Sequence, residues 1–183
     1  ERLVLTRLAQ RAGLPESSVA VMIEEELHAM GNNSLNDPDA PDDSVLEAHT
    51  EDIYTNFTAW DDATRTAKLD ALAALGRYAV VPMLRIVESY RNPDGAREAM
   101  VLKTMLVERL GKLGDARAVY YLSQQVNIGD SDDEITCLAL RAASAVALGN
   151  IIRQPFTPDQ AGINAVRAWW LTAGRAEHDR LAI

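Results

Sequence analysis

The strongest constraint on how this chain folds is a spacing. With Gly76 set on Gly114, Leu72 falls on Leu110, Leu75 on Leu113, Val81 on Val119 and Leu84 on Leu122, an offset of 38 residues. A third copy follows at an offset of 35, where Ala147-Leu148-Gly149 overlies Lys112-Leu113-Gly114 and Ala145 takes the place of Leu110. Self-similarity at such a period marks a stack of supersecondary units, each unable to bury both of its faces alone. Within a unit, Leu or Ala at i, i+3 and i+6 or i+7 forms the inner stripe of a first helix. The glycine that follows is predicted to take the left-handed conformation that stops it. In Gly114-Asp115-Ala116-Arg117-Ala118-Val119 the Asp115 carboxylate is placed to cap a short second helix, where it also meets the positive end of the helix dipole.

The expected fold is therefore all-α, with helices near 45–59, 62–76, 79–91, 94–113, 116–127, 132–152 and 158–173. Pro93-Asp94 and Asp130-Ser131-Asp132-Asp133-Glu134 read as helix starts, because acids in a first turn are favoured by the dipole without any bound cation. The 28 alanines fit this plan, since small side chains let stacked helices approach closely.

The segment Leu110-Gly111-Lys112-Leu113-Gly114-Asp115-Ala116-Arg117-Ala118-Val119, followed by Leu122, resembles the HEAT-like repeats of the phycobilisome-lyase type. Leu148-Gly149-Asn150-Ile151 fits the same pattern, and the resemblance spans roughly residues 62–152. It implies a short bacterial α-solenoid of about three helical pairs that serves as a scaffold or binding module, with lyases and metal-dependent hydroxylases as less common members. The first unit departs from the pattern, with Arg77-Tyr78 where the second has Asp115-Ala116, and with Pro82 inside its second helix.

Charge divides the chain. Of 27 acids, nine (Asp37, Asp39, Asp42, Asp43, Glu47, Glu51, Asp52, Asp61 and Asp62) lie between Gly31 and Asp62, a stretch without Lys or Arg. The remaining acids equal the 18 basic residues in number, so this stretch carries the whole net charge of −9. Residues 31–44 combine turn formers, two prolines and self-repelling carboxylates and read as an acidic linker. A calcium hand would need a central Gly and a closing Glu that the spacing lacks. The expected organisation is an N-terminal helical hairpin at 1–30, the linker at 31–44, and the solenoid with its cap at 45–183. The start at Glu1, without an initiator Met, points to a processed form or an excised fragment.

Leu8-Ala9-Gln10-Arg11-Ala12-Gly13-Leu14-Pro15 resembles the core of a helix-turn-helix, which would imply a regulatory DNA-binding protein. The would-be recognition helix at 16–30 opposes this, since it bears Glu16, Glu24, Glu25 and Glu26 and no Lys or Arg. Phosphates would repel it, so no nucleic-acid partner is expected.

The tail, Phe156-Thr157-Pro158-Asp159 and then Ala165-Val166-Arg167-Ala168-Trp169-Trp170, resembles the tryptophan-bearing terminal segment of many bacterial HEAT-like proteins. An end unit must cover the last apolar face, and two indoles do so efficiently. Adjacent helical residues point about 100° apart, so burying both requires contact on two sides of the helix. One of the two is therefore also a candidate partner anchor.

Catalytic constellations are not evident. A di-iron hydroxylase needs His-Glu pairs, and none of His28, His49 and His178 is followed by Glu. Gly111 and Gly114 lack the Lys-Ser/Thr ending of a phosphate loop. One cysteine, Cys137, forms no internal disulfide and assembles no zinc or iron-sulfur site, and its place in a helical apolar pattern makes it a core residue. Asn32-Asn33-Ser34 and Asn56-Phe57-Thr58 are glycosylation triplets, relevant only in a eukaryotic secretory pathway. No apolar stretch reaches the roughly 18 residues of a membrane helix.

The expectation is a non-catalytic protein–protein interaction scaffold without cofactor or metal, an accessory subunit of a hetero-complex, with the bacterial cell envelope favoured as its setting. The second helices are expected to expose Arg85, Glu88, Tyr120, Tyr121, Gln124 and Gln125 to the partner, with Trp169 and Trp170 at the end of the stack. The alternatives are a bilin-lyase-like or chaperone-like protein acting on a cofactor-bearing partner, and the helix-turn-helix regulator.

Overall fold

A computed structural model describes residues 40–90, 96–126 and 134–176. The chain divides into two units, Glu1–Ala40 and Pro41–Ile183, and the second is the one described here. The hairpin and most of the linker expected from the sequence lie outside the described residues. The described part is all-α, with no strand.

Helix α1 spans Asp43–Asn56, α2 Asp62–Ala73, α3 Val80–Ser89, α4 Ala96–Leu113, α5 Val119–Gln125, α6 Glu134–Ile152 and α7 Gln160–Trp169. Four of them begin at carboxylate caps that use exposed backbone N–H groups, directly or through a short 3-10 turn. Asp42 accepts from the Ser44 N–H (3.0 Å), Asp61 from Thr64 (2.7 Å), Asp115 from Arg117 (2.9 Å) and Asp159 from Gly162 (2.9 Å). Asp115 caps the 3-10 turn Ala116–Ala118 that leads into α5, close to the start expected from the sequence.

Gly76 and Gly114 adopt φ of +62° and +69°, and nothing stands within 4 Å of where a Cβ would lie, so their need for glycine is conformational. Gly149 differs from the expectation. It lies inside α6, which runs on to Ile152, and the left-handed residue that follows is Arg153 at φ +58°. A Cβ on Gly149 would sit 2.6 Å from the Gln154 carbonyl oxygen, so this glycine makes room for the returning chain and does not end the helix.

The helices pack in chain order. First helices lie against one another, α2 on α4 and, most extensively, α4 on α6. Second helices bridge forward, α3 onto α4 and α5 onto α6, while α7 closes on α6 and α1 on α2 and α3. The shared seam comprises Leu69, Leu72, Val80, Val81, Leu84, Val87, Leu102, Leu106, Leu110, Val119, Leu122, Leu140 and Leu148, all essentially excluded from solvent. Cys137 is buried with them.

Candidate partner-binding face

Cationic side chains join neighbouring helices and turns. Arg117 grips Asp115 through Nε (3.0 Å) and Nη2 (2.7 Å), and the same Nη2 donates to the carbonyl of Arg77 (2.6 Å) in the turn Gly76–Ala79. Burial would raise the Asp115 carboxyl. Hydrogen bonds from the Arg117 side chain and backbone, with the charges of Arg117 and Arg77, outweigh burial and hold it below its ordinary value. The turns that follow the two left-handed glycines are thus tied directly together. The acceptor is a backbone carbonyl, so this tie does not depend on the Arg77-Tyr78 departure from the pattern.

A second tie runs between the first helices. Arg109 on α4 is buried and donates to Asp70 on α2 (Nε, 2.9 Å), to the Thr66 carbonyl (3.2 Å) and to its own Met105 carbonyl (2.8 Å). Arg65 pairs with Glu98 on α4 at 3.0 Å and stacks on Phe57, its carbon 4.6 Å from the ring centroid. Lys68 joins α2 to α1 through Asp52 at 2.7 Å. The sequence reading did not single out these residues. The available signal was a charge on an apolar stripe: Arg109 stands three residues after Leu106, and the equally buried Lys103 and Arg141 occupy similar places.

The eight residues expected to meet a partner are distributed unevenly. Arg85 and Glu88 on α3 are half-buried, as are Tyr120 and Gln124 on α5. Tyr121 and Gln125 are buried, at 7% and 6% exposure, which corrects the expectation that they are presented to solvent. The reason is that α5 is only seven residues long and packs broadly on α6, so positions flanking the Val119, Leu122, Val126 stripe are enclosed too, Ser123 included.

Trp170 is buried and Trp169 half-buried. The rings form a continuous row: Phe156 to Trp169 at 6.4 Å between centroids, Trp169 to Trp170 at 6.0 Å, Trp170 to Tyr120 at 5.9 Å and Tyr120 to Tyr121 at 5.6 Å. The turn Trp170–Gly174 is a π-helix, and a Cβ on Gly174 would lie 2.8 Å from both indoles. The row fixes the end of α7 against α5, and Arg167 adds a bond to the Val126 carbonyl (3.2 Å). Trp169 and Tyr120 are the members left partly open at the surface, and Leu171 beside them is 76% exposed.

Among the described residues no group of three or more His, Cys, Asp or Glu side chains is arranged to hold a metal ion. No described helix is long and apolar enough to cross a membrane. No family model, curated protein or solved structure matches this chain.

Proposed function

We propose that this chain is a non-catalytic scaffold, a short HEAT-like α-solenoid that holds a protein partner within a larger assembly, with the bacterial cell envelope as the favoured setting. The observation that carries this reading is the repeated packing. First helices lie on first helices, second helices bridge forward, and the two equivalent turns are left-handed at glycine and linked through Arg117. Stacks of this kind build extended surfaces from their second helices, and function resides in what that surface meets. Here the half-open positions on the second helices and the cap are Arg85, Glu88, Tyr120, Gln124 and Trp169. Tyr, Trp and Arg are enriched in protein contacts.

Affinity purification of the full chain from its native source, followed by mass measurement of the intact complex, tests the proposal. The expected result is a colourless hetero-complex of fixed stoichiometry that weakens when Tyr120 or Gln124 is changed. A chain that runs alone at 20.0 kDa, or one that purifies with a coloured tetrapyrrole, would overturn the scaffold role.

A further inference from the structure

We propose that α6 pairs with α6 of a second copy of this chain, antiparallel and about a two-fold axis, through the face that it leaves open. This goes beyond the scaffold reading and is independent of the hetero-partner. Leu138, Ala139, Ala142, Ala143, Val146 and Asn150 fall within about 140° of arc on α6 at the helical period. Leu138 is 38% exposed, Ala139 and Asn150 are exposed, Ala143 and Val146 are half-buried, and Ala142 is nearly covered. Between Ile135 and Ile152 the helix carries one charge, Arg141, which is buried. The earlier first helices differ: α2 exposes Asp62, Lys68 and Asp70, and α4 exposes Arg97, Glu108 and Lys112. A helix that ends a stack in water carries a polar outer face, and α6 lacks one.

The repeat itself indicates what fits this face. In the register that sets Gly149 on Gly114, Lys103, Val107 and Gly111 of α4 correspond to Leu138, Ala142 and Val146 of α6. On α4 all three are buried, and Gly111 lies against Ala147 of the next first helix. The side of α4 that receives a first helix is therefore the side that α6 leaves open. After α6 the described chain supplies α7 and no further first helix. Charge then selects a second copy. The chain carries −9, so like copies repel over most of their surface, whereas the α6 face lets them approach without charge. Side-chain size agrees. With the axis between Ala142 and Ala143, antiparallel pairing sets Val146 of each copy on Ala139 of the other, large upon small, and alanines at the crossing admit a close approach.

Sedimentation equilibrium of the full chain tests the pairing. The expected mass is twice 20.0 kDa, with a Tm that rises with protein concentration. Ala139→Glu introduces a charge at an exposed position, so helix content by circular dichroism is expected to stay unchanged while the dimer weakens at least tenfold. Ala165→Glu, exposed on α7, is expected to associate as wild type does. Adding Val146→Lys to Ala139→Glu should restore the dimer, because each Glu then meets the Lys of the other copy. A monomeric wild type, an undiminished Ala139→Glu, an equal loss in Ala165→Glu, or no recovery in a double variant that keeps its helix content each overturns the pairing. Capture of a hetero-partner by a chain that does not self-associate would remove the α6 pairing and leave the scaffold reading standing.

Discussion

Gly111 on α4 and Ala147 on α6 mark the closest crossing of the two longest helices: a Cβ on Gly111 would lie 2.6 Å from the Ala147 Cα and 2.7 Å from its Cβ. Backbone stands in the way, and backbone does not turn aside as a side chain does. Gly111→Ala would gain about 1 kcal/mol of helix propensity in isolation. Overpacking of a tight core costs roughly 1–3 kcal/mol, so the net effect is a lower Tm, and Gly111→Val is worse.

The contrast with Gly114 is a prediction of its own. There the space is open and only the positive φ restricts the residue. Gly114→Asn is expected to cost little, since Asn tolerates the left-handed region, while Gly114→Val costs on the order of 1–2 kcal/mol or more. At Gly111 the same Asn substitution is expected to be as damaging as Val. Denaturant midpoints of the four variants check the pattern.

Arg109 and Asp70 differ in burial, at 7% and 61% side-chain exposure, so their ion pair is largely screened at one end. Asp70→Asn is expected to cost under about 1 kcal/mol. Arg109→Ala loses bonds to two helices together with a buried stem and costs roughly 2–3 kcal/mol. A double-mutant cycle should show that most of the Arg109 effect remains when Asp70 is already Asn.

Acidification should weaken the link between the turns. The folded Asp115 carboxyl lies below its ordinary value of 3.8, so its contribution is fully present above that value and is lost as pH falls through the lower folded value. The capping carboxylates Asp42, Asp61 and Asp159, lowered chiefly by hydrogen bonds near each helix start, act in the same direction. Asp115→Asn is expected to lower stability by roughly 1 kcal/mol at neutral pH and to flatten the decline below pH 4. Urea unfolding as a function of pH measures both.

At the C-terminal end, Trp170→Ala should cost about 3–5 kcal/mol, because the indole is buried against Tyr120. Trp169→Ala should cost less. Gly174→Ala forces both rings to move and should shift the tryptophan emission even where the fold survives.

The glycines show how much was legible. A left-handed terminator and a glycine at a close approach are spelled with the same letter. Gly76 and Gly114 behave as their Leu-Gly context indicates, whereas Gly149 in the same context answers to the chain returning at Gln154 and Phe156. Of the candidate contact residues, Arg85, Glu88, Tyr120 and Gln124 keep partial exposure. Tyr121 and Gln125 do not, because a polar or aromatic letter on a short helix does not reveal how many neighbours surround it.

By itself the sequence determined the all-α class, the order and approximate ends of the helices, the Asp115 cap and the two left-handed turns at Gly76 and Gly114. Those are set by residues within a few positions of one another, through propensity, capping and the 3.6-residue period. Only the tertiary structure decided that Arg109 and Arg117 tie helices and turns far apart in the chain, that Gly149 is a place of passage, that the two tryptophans sit in a row of rings ending on α5, and that the Nε atoms of Arg85 and Arg141 are left without an acceptor. Each depends on groups far apart in the chain, and burial and hydrogen-bond satisfaction are properties of the surroundings that no local pattern encodes.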